Sequence, residues 1–178
     1  MQSVIPENAL RSGLVKAGLA YWLAKKGNHP LPSRQAFDPI CEVPGLTPNI
    51  MLKDVQRDPL DFRYRLVGSD IRRHLKSDPT GRWMSAIPGQ GPGNPLWEHH
   101  AHAVAERAPV FLRPAYVGPH KEFLQIESVL LPLAGDHEQP DMLLIFTDFL
   151  RAPDAQKGDA QKGDAGRGDA GKKRQPDA

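Results

Sequence analysis

The chain has one cysteine, Cys41, in 178 residues. No internal disulfide can form, so stability must come from packing, and a reducing compartment is the natural expectation. Long apolar runs are also missing. The longest, such as MLLIF at 142–146, fall far short of the ~20 residues that cross a bilayer, so no membrane span is expected. The first residues, MQSVIPENAL, lack a basic stretch and include Pro6 and Glu7, so no secretory signal is expected. A soluble cytoplasmic location is the resulting expectation. Positive charge is not concentrated either. The formal net charge of +2 lies wholly in residues 151–178, and residues 1–150 are balanced. Nucleic acid requires a concentrated basic face, so no such partner is expected.

Catalytic signatures are likewise missing. There is no GxSxG, no HExxH and no P-loop. The GQGPGNP loop at 89–95 has the wrong spacing for a dinucleotide fingerprint, and Pro92 and Pro95 remove amide donors. No kinase, cyclase or helix-turn-helix segment is visible. The reading is that this is not an enzyme and that its output passes through binding.

What is present divides the chain into three parts. Residues 151–178 hold the pentads QKGDA, QKGDA and GRGDA, with no Leu, Ile, Val, Phe, Met or aromatic residue. Such a segment cannot bury enough apolar area to offset its ordering entropy, so disorder is expected there. Arg167-Gly168-Asp169 spells an adhesion tripeptide, but the repeat itself generates it. Residues 1–49 read as an amphipathic helix over about 8–26, with Asn8 as cap and Gly27 as stop, followed by a proline-rich tether. Residues 50–150 form the core.

Within the core the period turns to two. IMLKDV at 50–55 and FRYRLV at 62–67 predict an antiparallel pair around QRDPLD. Short helices follow at 69–75 and 79–87, with Ser69 or Asp70 capping the first. A longer helix has Asn94 as N-cap and Pro95 at its first position. Strands at 109–117, 122–133 and 142–150 close the order. The fold class is α+β, one antiparallel sheet with its helices mainly on one face.

The residues Tyr21-Trp22, Leu31-Pro32-Ser33-Arg34, Asp38-Pro39, Tyr64 to Ser69, Pro79-Thr80-Gly81 and Leu131-Pro132-Leu133 carry a resemblance. In this order and spacing, over residues 14–150, the chain resembles a bacterial, often single-domain, PAS-like family. Ser69, Lys76 and Pro79 depart from its usual pattern. The resemblance implies five antiparallel strands in spatial order 2-1-5-4-3, with a cavity between the sheet and the short helices. It also implies a sensory or signalling module acting through a protein partner, with or without a small ligand. The resemblance further implies that the leading helix packs either on the outer face of its own sheet, the commoner outcome, or across a homodimer.

Alternation on 62–67 puts Phe62, Tyr64 and Leu66 on the core face and Arg63, Arg65 and Val67 on the other. Asp54 should face Arg63 and reach Arg65. Glu127 is too far for that pairing in the family's strand order. Candidate cavity residues are Tyr64, Leu66, Trp83, Trp97, His100 and Phe111, with Phe123 beside them. Gln125 and Glu127 point away from the cavity if Leu124, Ile126 and Leu130 form its wall. Candidate interaction residues are Tyr21, Trp22, Arg63 and Arg65. His99, His100 and His102 offer a metal- or haem-binding alternative, because His99 and His102 are three apart on a helix and such a helix supplies the haem ligand in some PAS relatives. The commoner outcome is a polar helix face, and neither a metal nor a cofactor is assigned. Cys41 precedes the first strand and lacks the context of a flavin-reactive thiol. An enzyme built on a PAS-like scaffold is the last alternative.

Overall fold

In a computed structural model, which describes residues 4–120 and 122–151, the core begins with a tight hairpin. Its strands are β1 (Ile50–Arg57) and β2 (Leu60–Val67), each two residues longer towards the turn than the period-two stretches. Asp58 and Pro59 make the turn between them. Three further strands follow, β3 (Val110–Leu112), β4 (Phe123–Leu133) and β5 (Met142–Arg151). All neighbours pair antiparallel, in the order β2-β1-β5-β4-β3. This is the order that the resemblance implied. The pentad repeats lie outside the described residues.

The helices are α1 (Gly13–Lys26), α2 (Pro39–Glu42), α3 (Ser69–Arg73) and α4 (Pro95–Glu106). α4 begins as its sequence predicts, with the Asn94 side chain accepting from Leu96 N. α1 starts later than the expected Asn8. Glu7–Ala9 form a separate 3-10 turn, and Ser12 is the cap, accepting from Val15 N at 3.0 Å. Ser12 wins because it satisfies two partners at once: its hydroxyl also donates to Asp148 Oδ2 at 2.7 Å. α3 is capped by Gly68 with no side-chain bond, so Ser69 is its first residue rather than its cap.

Two expected elements differ. Residues 79–87 form no helix. Instead they run along the free edge of β2, where Tyr64 N donates to Arg82 O and Met84 N to Phe62 O. An unpaired strand edge needs such cover, and Gly81, at φ +84°, turns the chain into place. β3 is three residues rather than nine, because Pro109 and Pro114 flank it and lack ladder donors.

The alternation on β2 also breaks. Met51 pairs with Val67 and Leu52 with Leu66, but Lys53 pairs with Tyr64, which leaves Arg65 as the extra residue of a β-bulge. Phe62 and Tyr64 are buried as expected. Leu66, placed in the core by strict alternation, is 41% exposed, and Val67 is buried in its stead. A one-residue bulge shifts every later side chain to the opposite face. Gly68 follows, where a Cβ would lie 2.2 Å from the Pro48 carbonyl oxygen. Only glycine fits that close approach.

The inner face of the sheet is covered, and α1 covers the outer face over β4 and β5. On the outer face, Val15, Leu19 and Trp22 of α1 pack with Ile50, Leu131 and Phe146. Burial of each such side chain stabilises by about 1.5–3 kcal/mol. Gly18 permits the approach, since a Cβ there would stand 2.3 Å from the Phe146 ring. The N-terminus of α1 is tied down by Glu127, which is fully buried. Its Oε1 accepts from Arg11 N at 2.9 Å and Ser12 N at 2.7 Å, and its Oε2 pairs with Arg113 at 2.8 Å. A carboxylate at a helix N-terminus meets unsatisfied N–H groups and the positive end of the dipole together. On the inner face, Phe62, Tyr64, Leu130, Leu143 and Ile145 meet α3, α4 and Met84.

Candidate functional site

The inner face does not close completely. A cavity of about 350 Å³ lies between the sheet, α3, α4 and the segment after β3. Its walls are largely apolar, with Ile71, Leu112, Ile126, Leu130 and Ile145 among them. Concave apolar sites with a few placed polar groups are the usual form of small-molecule pockets.

The polar groups come from β1, β2, α4, β4 and β5, with Gln90 added from the loop before α4. From β1, Lys53 reaches inward and is 1% exposed. Its Nζ lies 2.8 Å from His100 Nε2, 3.2 Å from Met84 Sδ and 4.0 Å from the centroid of the Tyr64 ring. His100 projects from α4 and places Nδ1 2.7 Å from Leu96 O. A carbonyl can only accept, so Nδ1 carries the hydrogen and Nε2 accepts from Lys53. Burial drives the Lys53 amine well below its ordinary value. Burial, reinforced by Lys53, does the same to the His100 imidazole. Tyr64 donates to Gln90 Oε1 at 2.7 Å, and burial pushes its phenol up to about 12. Ser128 and Thr147 bond to each other at 2.9 Å on the sheet floor.

The mouth is aromatic. His74 stacks on Phe149 at 3.5 Å between centroids and holds Tyr116 Oη at 2.9 Å from its Nδ1. Beside it Val117 is 89% exposed. The polar Lys53–His100 pair therefore marks the inner end of the cavity.

The sheet, in the order β2-β1-β5-β4-β3, thus carries short helices on its inner face with a chamber between them. A family model described as a PAS domain matches residues 13–146. The chain belongs to the PAS domain family. Membership makes a sensory or signalling module the broad reading of the chain. No curated protein and no solved structure matches the chain. No helix among the described residues is long and apolar enough to cross a membrane.

Of the candidate cavity residues, the PAS cavity brings Tyr64 and His100 together. The other four lie elsewhere. The bulge turns Leu66 outward. Trp83 sits on the β2 edge beneath Arg63, whose guanidinium is 5.6 Å from its ring. Trp97 packs edge-on against Phe62 within the core. Phe111 packs with the outer-face core, because its neighbours Val110 and Leu112 take the inner positions. Phe123 lies 4.8 Å from His74, in the cluster at the mouth.

Trp22 is buried and donates from Nε1 to Pro132 O at 3.0 Å, so it serves α1 docking rather than an outward surface. Tyr21 is half-buried and donates to Glu42. Arg63 and Arg65 are exposed and both pair with Asp54, at 2.8 and 3.3 Å, as the hairpin register predicts. α1 lies over β4 and β5 instead of over them. His99 is half-buried and His102 exposed on α4, while both ring nitrogens of His100 are engaged. Among the described residues no group of three or more His, Cys, Asp or Glu is placed to hold a metal ion. Glu127 points away from the cavity, as expected, and its partner is Arg113.

Lys53 was not singled out from the sequence. IMLKDV reads as an ordinary strand, and a lone lysine in such a run is normally the solvated position. The signal was the alternation itself: with Leu52 on the outer face, Lys53 must share the inner face with Met51.

Proposed function

We propose that this PAS domain senses a small molecule held in the sheet–helix cavity and passes the event on by contact with a protein partner. The observation that supports this is the cavity of about 350 Å³, apolar in its walls and polar at one buried end. A side-chain core built for stability alone fills such a space, because voids forfeit packing energy. The elements that cover the cavity, α3, α4 and the 113–120 segment, are short and are those a bound ligand would order or displace. α1 and the outer core are separately fixed by Trp22 and Glu127.

The test uses a neutral amphiphile and a filling variant. Binding of 1-octanol should raise the melting temperature of the native chain, since a ligand at a hundred times its Kd stabilises by about 2.7 kcal/mol. Ile145 lines the cavity, and Ile145→Phe should fill it and remove the shift. An unshifted native chain, or an equal shift in the filled variant, would count against a ligand chamber.

A further inference from the structure

The buried amine of Lys53 is surrounded by acceptors that carry no charge. His100 Nε2 accepts because its Nδ1 hydrogen is committed to Leu96 O. Met84 Sδ and the face of the Tyr64 ring are acceptors too. The Tyr64 hydroxyl is no donor to the amine, since it is given to Gln90. A lysine in a sheet interior without an anion is a costly residue, and a leucine or methionine would pack there without that cost.

The charge on the residues that line the cavity is one-sided. The titratable groups facing it are Lys53 from β1, Tyr64 from β2, His74 and Lys76 just after α3, His100 from α4 and Tyr116 after β3. No Asp or Glu is among the described residues that line it. The nearby carboxylates stand outside the lining: Asp54 pairs with Arg63 and Arg65, Glu127 with Arg113, Asp148 with Ser12 and Asp70 with Arg73, while Asp70 and Glu122 act on His74 at the mouth and not on Lys53 at the inner end. Basic groups without acids, at the inner end of an apolar chamber, are complementary to one kind of molecule.

We propose that the cavity takes an amphipathic monocarboxylate, with its head group on the Lys53 amine and its apolar chain along Ile126, Leu130 and Ile145 towards the mouth. The proposal rests on the reading of the cavity as a ligand chamber and names the ligand's class. A single amine matches a single negative charge, and the apolar walls exclude a multiply charged ligand that would need many more donors. Binding carries a proton with it. Burial holds the empty-site amine far below its usual value, and a carboxylate beside it favours the ammonium. The neutral amine takes one proton from solvent as the carboxylate enters, and the ion pair forms without any other bond changing.

The experiment compares sodium octanoate with 1-octanol on the full chain by titration calorimetry at pH 8, in two buffers of different ionisation enthalpy. Octanoate should bind the native chain about tenfold or more tightly than octanol, with uptake of about one proton per ligand. In Lys53→Met the preference should reverse, proton uptake should vanish and octanol should bind within about threefold of its native affinity. Equal binding of the two probes, or a variant that keeps the octanoate preference, overturns the proposal. Octanol binding without octanoate binding overturns the head-group assignment and leaves the chamber standing. Binding of neither probe to the native chain overturns both. The native-chain comparison needs no variant, so the result does not depend on Lys53→Met folding.

Discussion

Replacing Lys53 by methionine tests the state of the buried amine through stability alone. In the fold, burial lowers the amine well below its ordinary 10.5. In the unfolded chain it titrates normally. Between the folded value and 10.5 the unfolded chain binds a proton that the folded chain does not, so stability rises with pH by about 1.4 kcal/mol per unit. Lys53→Met keeps much of the side chain's length and removes that slope. From pH 8.5 to 9.5 the native chain should therefore gain about 1.4 kcal/mol relative to the variant. With a urea m-value of about 2 kcal/mol/M, its midpoint should move by about 0.7 M relative to that of the variant. Tryptophan fluorescence during urea unfolding at pH 8.5, 9.0 and 9.5 reads this directly. Other groups titrating in that range are common to both chains and cancel in the difference. Loss of the donor to His100 Nε2 costs the variant about 1–3 kcal/mol, which shifts its line without tilting it. Parallel lines for the two chains would refute the reasoning, because the amine would then be protonated in the fold.

Three further outcomes follow from the packing. Glu127→Ala should destabilise by about 3–5 kcal/mol in urea unfolding, since it strands Arg113 and two amide donors beneath α1; a loss under 1 kcal/mol would mean that the clamp is wet. Gly18→Ala should lose about 1–3 kcal/mol through its clash with Phe146, despite alanine's better helix propensity, and a stabilised variant would show that α1 can lift from the sheet. Asp54→Asn should cost no more than about 1 kcal/mol, because Arg63 and Arg65 are largely in solvent, and a larger loss would give the arginines a structural role beyond an exposed pair.

The strands were legible from their apolar stretches and the turn residues between them, while their spatial order came with the resemblance to the PAS family. The pairing of Asp54 with both arginines followed from the hairpin register. The cavity lining was less legible, for a specific reason. Strict alternation on FRYRLV assigns Leu66 inward, and nothing local announces that Arg65 is an extra residue in the ladder. The displacement of Trp83 has a similar origin: PTGRWMSAI looks like a helical piece, yet the open edge of β2 is a stronger attractor for its backbone than a helix of two turns. Glu127 illustrates the remaining kind of difficulty. In the PAS strand order it lies too far from Arg63 to pair, and its partner is Arg113. Continuing the β3–β4 register by one step, from Leu112 opposite Ser128, brings Arg113 to Glu127. The information was present in the pairing of two strands rather than in either strand alone.

The two faces of the sheet are built on different principles, and this bears on how a ligand could be felt. The outer face joins α1 to the sheet by apolar packing, a buried ion pair and bonds to the helix N-terminus, all of them satisfied. The inner face joins α4 to β1 through a hydrogen bond between two basic groups, Lys53 and His100, neither of which gains from the other's charge. Such a bond is weak relative to what a carboxylate offers the same amine, because charge-assisted hydrogen bonds are about twice as strong as neutral ones. If a carboxylate draws the Lys53 amine to itself, His100 loses its donor, and α4 loses its polar tie to β1 while α1 keeps every one of its own. The free energy of binding would then be expressed at α4 and the 113–120 segment rather than at the leading helix. A ligand shifts an equilibrium only by its differential interaction with two states, and the Lys53–His100 pair is where these residues provide such a difference.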